Sequence, residues 1–524
     1  MPQGPVMQPP RMVQRQRRAR TWKGRARTWR ERMMQRFVGQ GIGRTQSVFP
    51  KWMAQYAVVT YIMALMVVSL LYSAYVMPWY YILSGIVAVL VFFLYGQKVA
   101  RDTSIFKVHK TKNFEKRIFW IAFIPRFLFM LLIYRVFMEN YGDAFGFENL
   151  DATYYDDLGQ FVAGLISKGN FHFYDAISKF SGNKDIADMG YGVYVGFIYW
   201  LTDNSILAVR FLKCVWSALT VLLIYRLAKR NFGEQTARVA AIFCALWPDL
   251  WYYCSIHLKE TEMVFLAVLY VEQADQMLRS RQFTAWKVIP VLLIAAFMFT
   301  FRTPLGLVAV MVLVFSVVMS SSKVVSWGKR IIVGIMAIFL ISVAAGTRIQ
   351  ERTKTLIEQV QSGQQQRNME WRTRRTHGNE FAKYASAAVF APMIFTLPFP
   401  TMVRPFDGQE QQMLLNGGYF IKNVISFLTI VAIIILLLSG KWRDHLLPLS
   451  FMIGYLIVLT LSTFAQSGRF HIPIIPFEFM FAAYGVGVVV TKHKYKRWFM
   501  YWCALMFVAA ITWNWFKLKG RGMI

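Results

Sequence analysis

Residues 118–138 read IFWIAFIPRFLFMLLIYRVFM, and soon after them comes Asp151-Ala-Thr-Tyr-Tyr-Asp-Asp157. The first stretch has the length and apolar character needed to cross a bilayer core. The second puts three carboxylates and two tyrosines just past the end of that span, where a base would meet a substrate carried on a lipid. Apolar runs of about 20 residues recur to the end of the chain. Of 524 residues, 56% are hydrophobic and 16% charged. The chain reads as an all-α polytopic membrane protein.

Thirteen spans are expected, at about 53–76, 79–97, 118–138, 205–228, 236–254, 259–278, 283–301, 303–321, 329–346, 420–439, 446–464, 472–491 and 497–516. Residues 1–52 form a basic cytoplasmic arm whose Pro-, Gln- and Met-rich start reads as disordered. The long first apolar run does not read as a signal peptide. Residues 53–117 hold two spans and a basic cytoplasmic loop, and residues 118–346 form the core. Within that core, 139–204 is a large outer loop. Its tail at 191–201 is apolar and aromatic but too short to span, and reads as an interfacial helix. Residues 347–419 form an outer polar loop, with an interfacial or re-entrant segment at 385–400 broken by Pro392, Pro398 and Pro400. Residues 420–524 hold the last four spans.

The net charge of +32 raises the question of a nucleic-acid partner, since ten arginines lie between Arg11 and Arg36 beside Trp22 and Trp29. The excess of Lys and Arg in loops between spans follows the positive-inside rule, so membrane lipids are expected partners and nucleic acid is not. Cys214, Cys244, Cys254 and Cys503 fall in apolar runs without CxxC spacing and read as packed side chains. The chain has no P-loop, HExxH or GxSxG motif, and no evident transporter repeat.

Alternation of the spans puts Asp143, Asp151, Asp156, Asp157, the cluster His257-Leu-Lys259-Glu260, Arg302 and Arg469-Phe-His471 on one side of the membrane. Ionisable groups at span ends are costly unless paired or functional. Singly, each reads equally as a solvated cap or interfacial anchor, and Lys259 as an ion-pair partner of Glu260 or Glu262. Together they look like a base facing a phosphate clamp.

From about Ile118 onward the chain resembles the GT-C superfamily of membrane glycosyltransferases. It looks most like the branch holding protein O-mannosyltransferases and lipid A aminoarabinose transferases. Asp151-Ala-Thr-Tyr-Tyr155 resembles that branch's Asp-Glu-x-x-Tyr-type motif after the first core span. Leu207-Ala-Val-Arg210 and Tyr225–Gly233 resemble its second core span and the loop that follows. Trp247-Pro248 with His257-Leu-Lys-Glu260 resembles its Pro-then-acidic pattern, and Gly468-Arg469-Phe-His-Ile-Pro473-Ile-Ile-Pro476 its Arg-aromatic-x-x-Pro-x-x-Pro segment.

The resemblance implies an inverting transfer of sugar from a polyprenyl-phosphate donor to a lipid, glycan or protein acceptor. The active site would face outward from a bacterial cytoplasmic (inner) membrane. It implies Asp151 as general base, with Asp156 and Asp143 as runners-up, and Arg469, Arg302 and Lys259 on the lipid phosphate, with Glu260 and His471 beside them. Tyr155 would position a substrate. The second acid of the motif is Ala152 here, which leaves any divalent metal of the family open. Two other classes fit many spans: a lipid-linked oligosaccharide polymerase or ligase, using the basic stretch 348–383 on a pyrophosphate, and a lipid or glycolipid flippase.

Overall fold

In the computed structural model, residues 50–524 are described apart from 97–110, 182–188, 281–284, 323, 327, 329, 332–378, 382–385, 405–409, 463–464 and 491–493. The described residues are helical, with one isolated β-bridge between Val76 and Val403. The Arg-rich arm and nearly all of 348–383 lie outside them.

The helices run in chain order as α1 (Lys51–Leu71), α2 (Trp79–Leu90, continued by a π-turn at Val91–Tyr95) and α3 (Thr111–Tyr141). The outer loop supplies α4 (Asn149–Ser167), α5 (Phe173–Ser181) and α6 (Met189–Thr202). Then follow α7 (Ile206–Phe232), α8 (Glu234–Leu246), α9 (Pro248–Ser255), α10 (Glu260–Arg279), α11 (Ala285–Phe301) and α12 (Thr303–Met319). The C-terminal part holds α13 (Asn416–Ser439), α14 (Leu446–Leu461), α15 (Ile475–Val489) and α16 (Lys494–Lys519).

Seven helical stretches are long and apolar enough to cross a membrane, and three more are shorter apolar helices. Of the other three expected spans, 329–346 lies almost wholly outside the described residues. The span expected at 259–278 is helix α10, which carries Glu260, Glu262, Glu272 and Asp275. The span expected at 236–254 is broken at Trp247-Pro248 into α8 and α9. The short aromatic tail of the outer loop forms α6, which packs along α4.

The break at Pro248 has a specific remedy. Proline lacks the N–H that would bond Cys244 O one turn back. Arg126, wholly buried on α3, supplies the donors instead: its Nη2 donates to Cys244 O at 2.9 Å and its Nη1 to Ala245 O at 3.0 Å. Nη1 also reaches Ala122 O, and Nε donates to Ser217 Oγ at 2.8 Å. A cation at the C-terminal end of α8 also opposes the helix dipole.

The bundle has two distinct ends. At one, Arg230 of α7 pairs with Glu272 and Asp275 of α10, Arg279 pairs with Asp275, and His445 contacts Asn231. The other end gathers the starts of α4, α7, α10 and α12 and the turn Gly468–His471.

Replacing Arg126 by Met strands two carbonyls in an apolar core. It should cost about 2–6 kcal/mol, at roughly 1–3 kcal/mol for each of the two unsatisfied groups, read as a lower unfolding midpoint of the purified protein.

Candidate functional site

Gly468 opens the turn that carries Arg469. A Cβ there would lie 2.5 Å from the Tyr419 hydroxyl, so glycine lets the turn press against α13. Arg469 then reaches two carboxylates. Its Nε donates to Glu260 Oε1 at the start of α10, and its Nη1 to Asp151 Oδ2 in the first turn of α4. Glu260 is fully buried, whereas the Asp151 side chain is 56% exposed. Glu260 Oε2 has no hydrogen-bond partner among the described residues.

Two further cations flank the pair. Lys259 lies 5.7 Å above the Tyr155 ring and donates to Phe301 O at 3.2 Å. Arg302, where α11 gives way to α12, stacks 4.1 Å over Phe470, and its Nη1 has no partner among the described residues. Two arginines and a lysine gathered around two carboxylates make a donor-rich set, which suits an anionic ligand. Burial and the nearby Glu260 raise the Tyr155 phenol above its ordinary range, so it stays a proton donor.

Asp151, Arg469 and Phe470 also line a cavity of about 1020 Å³. Its walls are apolar, from Phe390, Met393 and Leu397 on one side and Leu505, Ala509 and Trp513 of α16 on the other. Gln411, Gln412 and Lys517 add a second polar patch, where Lys517 Nζ donates to Thr401 Oγ1 at 2.6 Å and to Gln412 Oε1. Among the described residues no three His, Cys, Asp or Glu side chains gather as a metal-ligand set.

Residues 192–346 match the family model described as dolichyl-phosphate-mannose-protein mannosyltransferase. That stretch is a GT-C glycosyltransferase domain. No curated protein and no solved structure matches the chain. The match covers less than a third of the chain, and it supports a membrane glycosyltransferase domain of the GT-C type within residues 192–346.

The GT-C domain supplies Lys259, Glu260 and Arg302, while Asp151, Tyr155 and Arg469 come to them from outside the matched stretch. These six residues form one neighbourhood. The other three expected site residues are held elsewhere. Asp143 Oδ1 accepts from the Phe145 and Gly146 amides at 2.7 and 2.8 Å, closing a turn. Asp156 accepts from the Tyr199 hydroxyl and from Gln160 Nε2 at 2.7 Å, tying α4 to α6. His471 contacts Lys422 Nζ at 3.1 Å and Ala465 O at 2.7 Å, on the far side of the turn from Arg469.

The sequence reading passed over Lys517, which closes an aromatic helix and looks there like an interfacial anchor. It also passed over the buried ion pair of Lys213 with Glu262 at 3.0 Å. A lysine one turn after Arg210 within an apolar run was the available signal.

Glu260→Gln should lower the unfolding midpoint sharply, a loss of about 3 kcal/mol, because the Arg469 charge loses its buried partner. Asp151→Asn, at the half-exposed partner, should cost about 1 kcal/mol or less. Thermal unfolding of the two purified variants side by side checks the order.

Proposed function

We propose that the protein transfers a sugar, with inversion, from a polyprenyl-phosphate carrier to a hydroxyl on a lipid, glycan or protein acceptor. The observation that carries this reading is the junction of a large apolar cavity with a cation-rich end where one carboxylate stays half exposed. An isoprenoid chain needs the first, and the phosphate and the attacking hydroxyl need the second. On the rim, Leu505 and Val508 are each more than half exposed, so the groove opens sideways, as a bilayer-borne substrate requires.

Asp151 is the general base. Its Oδ2 is engaged by Arg469, which orients the carboxylate, and Oδ1 takes the acceptor's proton as the oxygen attacks the anomeric carbon. The bond from that carbon to the phosphate oxygen breaks, and its electron pair leaves with the phosphate. A phosphodiester with one negative charge becomes a phosphomonoester with two. Arg302 and Lys259 oppose the charge that develops. A single displacement inverts the anomeric centre. We place this end of the bundle on the extracytoplasmic side of an inner membrane, because Lys229, Arg230, Lys441, Arg443, Lys494, Lys496 and Arg497 lie towards the opposite end.

Transfer of radiolabelled sugar from polyprenyl-phosphate donors should fall by about 10²-fold or more in Asp151→Asn at equal protein level, the usual contribution of a general base. Full activity in that variant would remove Asp151 from catalysis. No transfer from any monosaccharide donor by the wild type would favour the polymerase or ligase reading. Ala509→Trp, which fills the groove away from the carboxylate, should raise KM for the lipid donor and leave kcat near the wild-type value.

A further inference from the structure

One ring behind Tyr155 lies a second polar pocket. Tyr155 meets Tyr191 edge-on at 4.9 Å, and Tyr191 lies 6.2 Å from His257, whose other face stacks on Tyr199. Arg210, near the start of α7, has its guanidinium 5.6 Å from the Tyr134 ring and reaches Ala144 O, next to Phe145, whose ring lies 6.1 Å from His257. Arg210, His257 and Tyr191 are all fully buried.

These groups are short of partners. Arg210 Nη2 donates to Ala144 O, but Arg210 Nε and Nη1, both ring nitrogens of His257 and the Tyr191 hydroxyl have no partner among the described residues. Charge is also unbalanced. Lys213 is neutralised by Glu262, whereas Arg210 forms no ion pair with a described carboxylate. Bound water would satisfy the hydrogen bonds but not the charge, and a buried guanidinium without a counter-ion is costly.

We propose that Arg210, His257 and Tyr191 form a binding site for a small inorganic anion, of which chloride is the simplest occupant. Three neighbouring, fully buried side chains hold unpartnered donors there, with one full positive charge. A bound anion fixes the rings on which Tyr155 and Lys259 rest, so it acts on the neighbouring site by positioning. The inference does not depend on the transferase reading.

The test is thermal unfolding of the purified full-length protein in detergent. Sodium chloride is titrated against sodium gluconate at constant ionic strength, with parallel arms in sodium phosphate and in a short-chain polyprenyl phosphate. The wild type should show a saturable rise in midpoint with chloride, as binding to the folded state requires. Tyr191→Phe should raise the half-saturating concentration about tenfold, the loss of one charge-assisted hydrogen bond, and Arg210→Gln should abolish the response. If Arg210→Gln does not fold, the Tyr191→Phe shift decides. No saturable response to either inorganic anion overturns the site, as does an unchanged half-point in Tyr191→Phe. A response to the polyprenyl phosphate alone assigns the charge to a lipid headgroup and overturns it equally.

Discussion

A main-chain carbonyl that loses its helical donor cannot remain bare in an apolar bundle, and this constraint shapes the protein. At four places among the described residues where a helix breaks or the chain turns irregular, a buried cation covers a freed oxygen. Arg126 does so at the end of α8, Lys213 at Leu258 O before α10, Lys259 at Phe301 O before α12, and Lys422 at Leu397 O in the segment lining the cavity. Most of these residues sit in helices that are otherwise apolar. Their charges are expensive, but the breaks they permit turn the chain sharply and bring helix starts together at one end. The site exists because several helices begin there at once.

Arg469 shows the same economy in reverse. Two carboxylates meeting near a membrane surface repel. A guanidinium offers separate nitrogens to each, so Asp151 and Glu260 are held side by side. A lysine could not hold both in fixed directions. The buried member anchors α10, and the exposed member lines the cavity. Division of one arginine between a buried and a half-exposed acid explains how the pair is accommodated in so apolar a chain.

Span ends and charge alternation made the neighbourhood of Asp151, Tyr155, Lys259, Glu260, Arg302 and Arg469 legible in the sequence, because charge at a helix start is costly and conspicuous. Direction was not legible. Asp143, Asp151 and Asp156 look alike as letters, yet Asp143 turns onto amides two and three residues ahead and Asp156 onto a tyrosine of another helix. Arg469 and His471 are two residues apart on a helical turn, which sends their side chains to nearly opposite sides. The break in the expected span at 236–254 was marked by Pro248, but its repair by Arg126 lies 118 and 119 positions away, beyond any local pattern.

The charged end and the apolar walls of the site come from different parts of the chain. The matched GT-C stretch carries Lys259, Glu260 and Arg302, but the apolar walls of the cavity belong to the 390–397 segment and to α16. Both walls lean on the first two helices, which stand outside the match. Tyr75 O accepts from the Arg404 amide at 2.7 Å next to the bridge between Val76 and Val403, and Trp52 of α1 packs edge-on against Phe499 of α16 at 5.5 Å. Helix α2 meets α13 backbone to backbone, since a Cβ on Gly417 would lie 2.7 Å from Gly85 O. The added helices therefore brace the apolar half of the cavity without touching the carboxylates. Changes in α1 or α2 would reshape that apolar half while leaving the pairing of Asp151 with Arg469 as it is, so the two ends of the cavity can vary independently in this fold.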